Sequence, residues 1–469
     1  MSGSIDMKAE VAIIGAGTMG AGIAQVAAVH GWRVQLIDVK PEYVQRGLEG
    51  IRKNLDRLVE RGKMSAADRD AALGRIDCGC TIADGPHPTL SQGERGNDAG
   101  QMLNGAALVI EAIVEDLELK KTTLSQIEAA LPSAAVLATN TSSLSVDRIA
   151  DGLKDPSRLV GMHFFNPAPL MPLVEIIAGR RSDPAAVDFA FTTAVQWGKV
   201  AVRAKDTPGF IVNRVARGYY LEALRLLGEG VAGVDEIDRV MRGGGFKMGP
   251  FELMDLVGLD VNLAVSTSVW EQMQRHPRFE PHDIQKRLVA AGRLGRKTGR
   301  GFYVYDRDPP LPAVPVDRKS YSLSPLLVDA IRAFVTRGLG RKEDLCAPHN
   351  ARKEDLCGPQ RREDGGSQRK ENSGPQRKED LCGPLGSTEQ YVFARMLAAV
   401  INEAGLALDE GVATRVDIDL AMVKGTNYPK GPLAWADEIG VRTVRGVLNQ
   451  LNLGSDRKYP LARALDAST

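Results

Sequence analysis

A doubly wound α/β domain followed by two all-helical modules, joined by a low-complexity linker, is the fold class this sequence predicts. Three observations carry it. Short β-branched runs alternate with longer amphipathic stretches from Val11 to about Val202, the grammar of parallel strands joined by crossover helices. Beyond Asp206 the pattern turns to helical periodicity with few strand signals. Residues 388–469 then repeat that helical pattern in weaker form.

In order along the chain, Val11–Ile14, Val34–Ile37, Leu108–Ile110, Val136–Thr139, Leu159–Phe165 and the run around Val174–Ile177 read as strands. Helices are expected over 19–30, 41–61, 119–131 and 146–153, completing a domain over 1–205. A first helical module, 206–306, opens after Thr207-Pro208-Gly209 and closes near Gly301-Phe302-Tyr303. Residues 307–387 begin with Pro309, Pro310, Pro312 and Pro315 and carry Arg-Lys-Glu-Asp-Leu-Cys at 341–346, 352–357 and 377–382. Such a charged, Gly/Pro-punctuated stretch buries too little apolar area to offset its ordering entropy, so a flexible linker is expected there. The second module, 388–469, repeats the first: Glu222-Ala223 matches Glu403-Ala404 and Ile237-Asp238 matches Ile418-Asp419 at an offset of 181, and Gly249-Pro250 matches Gly431-Pro432 one residue later.

Composition excludes several classes. The 469 residues suit roughly three folded units, and 43% hydrophobic with 25% charged residues is ordinary for a globular chain. With 60 Lys+Arg against 59 Asp+Glu the net charge is +1, so no global field holds the chain on nucleic acid or an anionic membrane. Asp6 and Glu10 interrupt any N-terminal leader signature, and no apolar run approaches the about 18 residues of a spanning helix. A cytoplasmic protein with reduced thiols is expected, and no metal-ligand spacing is found among its five Cys.

Gly15-Ala16-Gly17-Thr18-Met19-Gly20 follows an apolar strand and opens a helix, the context in which GxGxxG reads as a dinucleotide-binding turn. Gly15 serves the tight turn, Gly17 the close approach of the pyrophosphate, and Gly20 the packing of helix on strand. Asp38 ends the second strand, where a carboxylate binds ribose hydroxyls and repels a 2′-phosphate. That selects NAD over NADP, although FAD proteins share the fingerprint and the fold alone leaves the cofactor open.

Of six His, five have structural readings: His30 at a helix end, His87, His276 and His282 beside prolines, and His349 in the linker. His163 ends a strand, at the carboxyl edge where doubly wound folds place ligands. An imidazole there can accept the proton of a substrate alcohol as hydride leaves the same carbon. Glu175 sits among apolar residues of the next strand. It is either a surface residue or the partner that orients His163 and stabilises its imidazolium. Asn140-Thr141-Ser142-Ser143 follows another strand. Ser142 is there a donor to a substrate oxygen or a helix N-cap, a task Ser145 serves equally. Asn213, a mediocre helix former within an apolar helical run, points to the domain cleft.

Taken together, GAGTMG, EAIVED, NTSSLS, HFFNP, PLVEII, TPGFIVNR and GRKTGRGFY, in that order over about 1–306, resemble the L-3-hydroxyacyl-CoA dehydrogenase family. TPGFIVNRVAR followed by Tyr219 and Tyr220 is similar to the long bacterial form with two helical modules, the 3-hydroxyadipyl-CoA dehydrogenases of phenylacetate catabolism and next to them the 3-hydroxybutyryl-CoA dehydrogenases. The resemblance implies a Rossmann-type domain and reversible oxidation of an L-3-hydroxyacyl-CoA to the 3-oxoacyl-CoA with NAD, in fatty acid or phenylacetate catabolism. It implies His163 as general base with Glu175 as partner, Ser142 against substrate and nicotinamide, Asn166 at the cofactor amide, and Asn213 at the thioester or hydroxyl oxygen. Asn140, Glu115, Lys120 and Lys297 are assigned to NAD, and Asn54, Arg61 and Lys63 to CoA. A non-catalytic NAD-binding interaction protein is the rival reading, and it leaves His163, Glu175, Ser142 and Asn213 without a task. The second module carries Ala394 where the first has Asn213, so it is expected to be non-catalytic. It would pack on the first as an internal pseudo-dimer within a monomer, the alternative being a homodimer.

Overall fold

The computed structural model describes residues 9–80, 103, 105–318, 323–338, 387–453 and 459–466. Eight strands form one sheet in the order β3-β2-β1-β4-β5-β6-β7-β8. They are β1 Glu10–Ile14, β2 Arg33–Asp38, β3 Ile76–Cys80, β4 Leu108–Glu111, β5 Val136–Thr139, β6 Leu159–Phe164, β7 Leu173–Ala178 and β8 Val200–Lys205. The chain winds outward from β1 in both directions, which opens a crevice at the carboxyl ends of β1 and β4. β3, with two Cys and a Gly, and β8 at the opposite edge lack the β-branched density that marked the central strands, and neither was expected from the sequence.

The parallel pairing expected from the alternation holds through β6 and is broken once, where β7 runs antiparallel to β6; β7 and β8 are again parallel to each other. The β6–β7 connection, Phe165–Pro172, is too short for a crossover helix, which needs about a dozen residues or more. The reversal sets the register in which His163 lies directly opposite Glu175.

One face of the sheet packs on the helices Thr18–Val29, Pro41–Glu60, Ala66–Leu73 and Pro184–Gln196. The other face shares a continuous core with Leu117–Ala130, Val146–Ala150 and both helical modules. The Thr18–Val29 helix lies close against the sheet because its residues are small. At Gly20 an added Cβ would sit 1.7 Å from the Gly15 carbonyl oxygen.

The helical region comprises Val212–Val215 and Arg217–Gly228, nearly continuous through Ala216, then Val234–Gly243, Pro250–Val257, Leu259–Gln272 and Asp283–Ala290. It resumes with Ser387–Asp409, Arg415–Thr426, Pro432–Ile439 and Val441–Leu453. One device occurs in both halves. Asp238 accepts from the Phe251 and Glu252 amides at 2.9 and 3.0 Å, and Asp419 accepts from those of Leu433 and Ala434 at 2.7 and 2.9 Å. Each carboxylate caps a Gly-Pro helix start, and each Gly is required because a Cβ would strike the Asp at 2.3 or 2.2 Å.

The two halves meet through a self-complementary contact. Arg214 pairs with Glu403 at 2.7 Å and Glu410 at 2.6 Å. Its counterpart 181 residues on, Arg395, pairs with Glu222 and Glu229, the counterparts of those two glutamates. Gly218 packs against Ala399, again 181 residues apart. Reciprocal contacts of this kind define a two-fold axis, here an approximate one inside a single chain. Ser387–Asp409 is long and apolar enough to cross a membrane by length and composition, but Tyr391 to Gly405 are all buried at this contact.

The expected linker needs correction at its start. Leu311–Pro312 pairs with Tyr303–Val304, and Pro325–Gly338 is a helix. Leu327, Ile331 and Phe334, at helical spacing, are buried against Ser387–Asp409 and Val441–Leu453. The prolines before it and the repeats after it masked that periodicity. The Arg-Lys-Glu-Asp-Leu-Cys repeats lie outside the described residues.

Candidate active site

The Gly-rich turn forms the floor of a cavity of about 1190 Å³ between the carboxyl edge of the sheet and the helical modules. Single small-ligand pockets span roughly 300–1,000 Å³. Gly15 has φ 102° and lies so near β4 that a Cβ would meet the Ala112 oxygen at 2.6 Å. Gly17 begins the Thr18–Val29 helix and would direct a Cβ into open space, with nothing within 4 Å. The approach that a pyrophosphate needs is therefore open at the positive end of that helix. Asp38 lines the same cavity, and its carboxylate accepts from the amides of Ala16 at 2.6 Å and Val39 at 2.7 Å. These residues fit a dinucleotide.

His163 lines the cavity farther along, only 5% exposed. Its Nδ1 lies 2.6 Å from Oε2 of Glu175. The other oxygen of Glu175 accepts from the backbone N–H of Ile211 and Val212, both at 3.0 Å, where the first helical module begins. Glu175 is fully buried, so its two oxygens meet two backbone donors and the His163 ring rather than water. With Nδ1 engaged behind, Nε2 is the nitrogen left for a ligand.

Opposite stands the loop after β5. Glu115 Oε1 accepts from the Thr141 hydroxyl at 2.7 Å, the Ser142 and Ser143 amides at 2.9 and 3.0 Å, and the Ser142 and Ser143 hydroxyls at 3.3 and 3.1 Å. Burial alone would raise the Glu115 carboxyl, but the Lys120 cation and these donors hold it below its ordinary value. Ser145 caps the Val146–Ala150 helix by accepting from the Arg148 amide, so Ser142 is not needed as a cap. Asn140 Oδ1 accepts from the Phe164 amide at 2.9 Å, tying this loop to the strand end beside His163. Asn213 reaches back from the helical module and donates to the Ser142 carbonyl at 3.1 Å. Asn140, Ser142, Asn166, Asn213 and Glu115 all line the cavity.

Other sequence assignments land elsewhere. Lys120 is fully buried against Glu111 at 2.7 Å, and Glu111 is held in turn by Thr139 at 2.7 Å. Lys120 therefore supports the Glu115 loop from behind and does not line the cavity. Lys297 pairs with Asp260 at 2.6 Å outside it. The GRKTGRGFY segment that carries Lys297 is anchored by Asp255, which accepts from the Phe302 and Tyr303 amides. Asn54, Arg61 and Lys63 lie exposed at the far end of the Pro41–Glu60 helix and beyond it, away from the cavity. The family resemblance had implied all five; in the structure Lys120 and Lys297 meet carboxylates, Asn54 meets the Gln25 side chain, and Arg61 and Lys63 are exposed.

Among the cavity residues that the sequence reading did not assign are Arg217 and Tyr428. Arg217 lies one turn beyond Asn213 in the stretch Ile211 to Tyr220, which also holds Arg214, so its charge alone did not set it apart. Tyr428, from the second module, left no sequence signal because it arrives by tertiary packing.

A doubly wound sheet with a dinucleotide turn, and a carboxylate-backed imidazole facing the same cavity, define a nicotinamide-dependent alcohol dehydrogenase. The model of the 3-hydroxyacyl-CoA dehydrogenase NAD-binding domain matches residues 10–207, and that of the 3-hydroxyacyl-CoA dehydrogenase C-terminal domain matches 209–305 and again 391–467. The chain belongs to the 3-hydroxyacyl-CoA dehydrogenase family, with NAD as its cofactor. It is 38% identical to the 3-hydroxyadipyl-CoA dehydrogenase of Escherichia coli K12 over 96% of this chain and 95% of that one. It is 39% identical to the mitochondrial hydroxyacyl-coenzyme A dehydrogenase of Rattus norvegicus, over 63% of this chain and 90% of the other. The crystal structure of a 3-hydroxybutyryl-CoA dehydrogenase from Escherichia coli K12 superposes with a TM-score of 0.73 at 33% identity, covering 97% of each chain.

Proposed function

We propose that His163 is the general acid/base in the reversible oxidation of an L-3-hydroxyacyl-CoA to the 3-oxoacyl-CoA. The observation that carries this reading is the 2.6 Å contact between His163 and the buried Glu175 at the wall of the dinucleotide cavity. Glu175, held by two backbone donors, keeps the proton of a neutral imidazole on Nδ1, so Nε2 presents its lone pair to the C3 hydroxyl. As that proton moves to Nε2, the carboxylate stabilises the imidazolium. NAD, when bound, supplies the acceptor for the hydride leaving C3.

Around this pair, Gly15, Gly17 and Gly20 form the pyrophosphate turn, Asp38 takes the ribose, and Asn140 and Asn166 flank the nicotinamide end. The Ser142 hydroxyl and the Asn213 amide orient the substrate, with Glu115 fixing the Ser142 loop. The acyl chain is that of 3-hydroxyadipyl-CoA or 3-hydroxybutyryl-CoA, in fatty acid or phenylacetate catabolism. The domains of this proposal are 1–205, 206–306 and 388–469, with an internal pseudo-dimer of helical modules in a cytoplasmic protein that binds neither nucleic acid nor membrane. The reciprocal pairs of Arg214 and Arg395 support that arrangement.

General-base action typically contributes about 10²- to 10⁴-fold. His163→Ala should therefore lower kcat at least about a hundredfold on acetoacetyl-CoA with NADH, while NADH binding followed by fluorescence persists. Near-normal turnover would remove His163 from this role.

A further inference from the structure

Four arginines are buried among the described residues: Arg214, Arg217, Arg225 and Arg395. Three of them face glutamates. Arg217 does not. Its Nε donates to the Asn213 carbonyl at 2.9 Å, and its Nη1 donates to the Ser266 hydroxyl at 2.6 Å and the Asn262 carbonyl at 3.3 Å. Its guanidinium carbon stands 4.9 Å from the centroid of the Tyr220 ring. No carboxylate among the described residues neutralises it. Burial lowers its pKa to about 10, which still leaves a full cation at neutral pH. A buried, uncompensated charge is strongly destabilising unless a counter-charge arrives.

The second observation comes from the other module. Tyr428 is 3% exposed, and its hydroxyl has no hydrogen-bond partner among the described residues. Burial raises the phenol well above its ordinary range, with the Arg217 charge a weaker opposing influence, so the group is a neutral donor near that guanidinium. Its ring is locked against Tyr219 and Phe246, with centroids 5.6 and 4.9 Å away. Arg217 and Tyr428 both line the cavity that holds His163. A cation without a counter-ion and a donor without an acceptor thus share one wall.

The position suits one part of the ligand. Asn213 lies beside the Ser142 loop, and Arg217 is one helical turn deeper, about 6 Å along the axis at 1.5 Å per residue. An acyl chain whose C3 sits at His163 runs past Asn213 toward that wall, and in a six-carbon dicarboxylic chain the terminal carboxylate lies three carbons farther on. We propose that Arg217 and Tyr428 receive the terminal carboxylate of a dicarboxylic acyl-CoA and determine specificity for it. The proposal rests on the reading of the cavity as a 3-hydroxyacyl-CoA site. It also gives the second module a share in the pocket: that module has Ala394 and Ala398 where the first has Asn213 and Arg217, but it contributes Tyr428 to the wall.

The test compares kcat/KM for reduction of 3-oxoadipyl-CoA and 3-oxohexanoyl-CoA, chains of equal length that differ in carboxylate against methyl. Losing one partner of a buried charge pair is worth at least about thirtyfold, so the full-length protein should prefer the dicarboxylic thioester by that factor or more. Arg217→Met should bring the ratio near unity, and Arg217→Lys should restore part of it. Tyr428→Phe removes one hydroxyl without changing ring shape and should lower the ratio about tenfold. This variant carries the test if Arg217→Met fails to fold. A ratio near unity in the unaltered protein overturns the proposal. So do variants that depress both substrates equally, the result expected if these residues only support the fold or bind a phosphate common to both thioesters. In either case NADH-dependent turnover of 3-oxohexanoyl-CoA leaves the dehydrogenase reading standing. Failure of the folded protein to turn over both thioesters refutes that reading and the carboxylate site with it.

Discussion

Glu175→Gln exchanges one carboxylate oxygen for an NH₂ of nearly the same size, and the surroundings of Glu175 decide how the amide must sit. Oε1 of Glu175 accepts two backbone N–H groups at 3.0 Å each, and Oε2 meets His163 Nδ1 at 2.6 Å. If the amide turned its NH₂ toward Ile211 and Val212, two buried donors would lose their acceptor at roughly 1–3 kcal/mol each. The carbonyl therefore keeps that place and the NH₂ faces Nδ1. The imidazole must then accept at Nδ1 and carry its proton on Nε2, where it cannot take one from the substrate. Tautomer inversion in a comparable carboxylate–imidazole arrangement costs about 10⁴-fold in kcat. Losing the charge gives a similar figure, since unit charges about 4 Å apart at an effective dielectric of 20 interact by about 4 kcal/mol, near 10³-fold. The expected result is a kcat lower by about 10³- to 10⁴-fold on acetoacetyl-CoA with NADH, at little change in KM or melting temperature. A correctly folded Glu175→Gln protein retaining more than about a tenth of the unaltered kcat would refute the reasoning, because neither estimate permits so small an effect.

Other perturbations separate site from scaffold. Gly17→Val should weaken NADH binding without loss of fold, since its Cβ meets nothing within 4 Å, whereas Gly20→Ala should destabilise the protein because its Cβ strikes the Gly15 oxygen at 1.7 Å; fluorescence titration and thermal melts distinguish the two. Arg395→Met strips the buried Glu222 of one cation and should lower stability by about 3–5 kcal/mol in urea unfolding. Burial raises the Glu222 carboxyl but the Arg395 and Arg225 cations outweigh it, bringing it from 4.5 to about 2. Because the folded value is the lower one, its contribution is complete above pH 4.5 and disappears as pH falls toward 2. Stability should decline by about 3 kcal/mol across that window, less so in Arg395→Met. A chain ending at Arg337 uncovers the Arg217–Gly228 surface and should self-associate in sedimentation; a stable monomer would exclude the pseudo-dimer.

Several features were legible in the residues alone because local spacing decides them. A glycine turn between strand and helix, an acid at the end of the next strand, polar residues just after a strand at Asn140 to Ser143 and a histidine near a strand end at His163 are set by alternation and backbone geometry, which any window of sequence carries. Spacing alone does not show that Lys120 meets Glu111 at 2.7 Å or that Lys297 meets Asp260 at 2.6 Å, because those contacts depend on how the chain folds.

Tertiary structure decided what depends on direction and long-range packing. Glu175 meets His163 because the short β6–β7 connection forces an antiparallel return in that register; in a parallel strand the same residue would face other neighbours. Arg217 became a site residue when Tyr428 was brought to the same wall from more than two hundred positions away. The reciprocal pairing of Arg214 and Arg395 likewise exists only once two similar modules fold face to face. Sequence periodicity determines which side of an element is apolar, but which element it meets is settled by chain connectivity and the shapes that close the core.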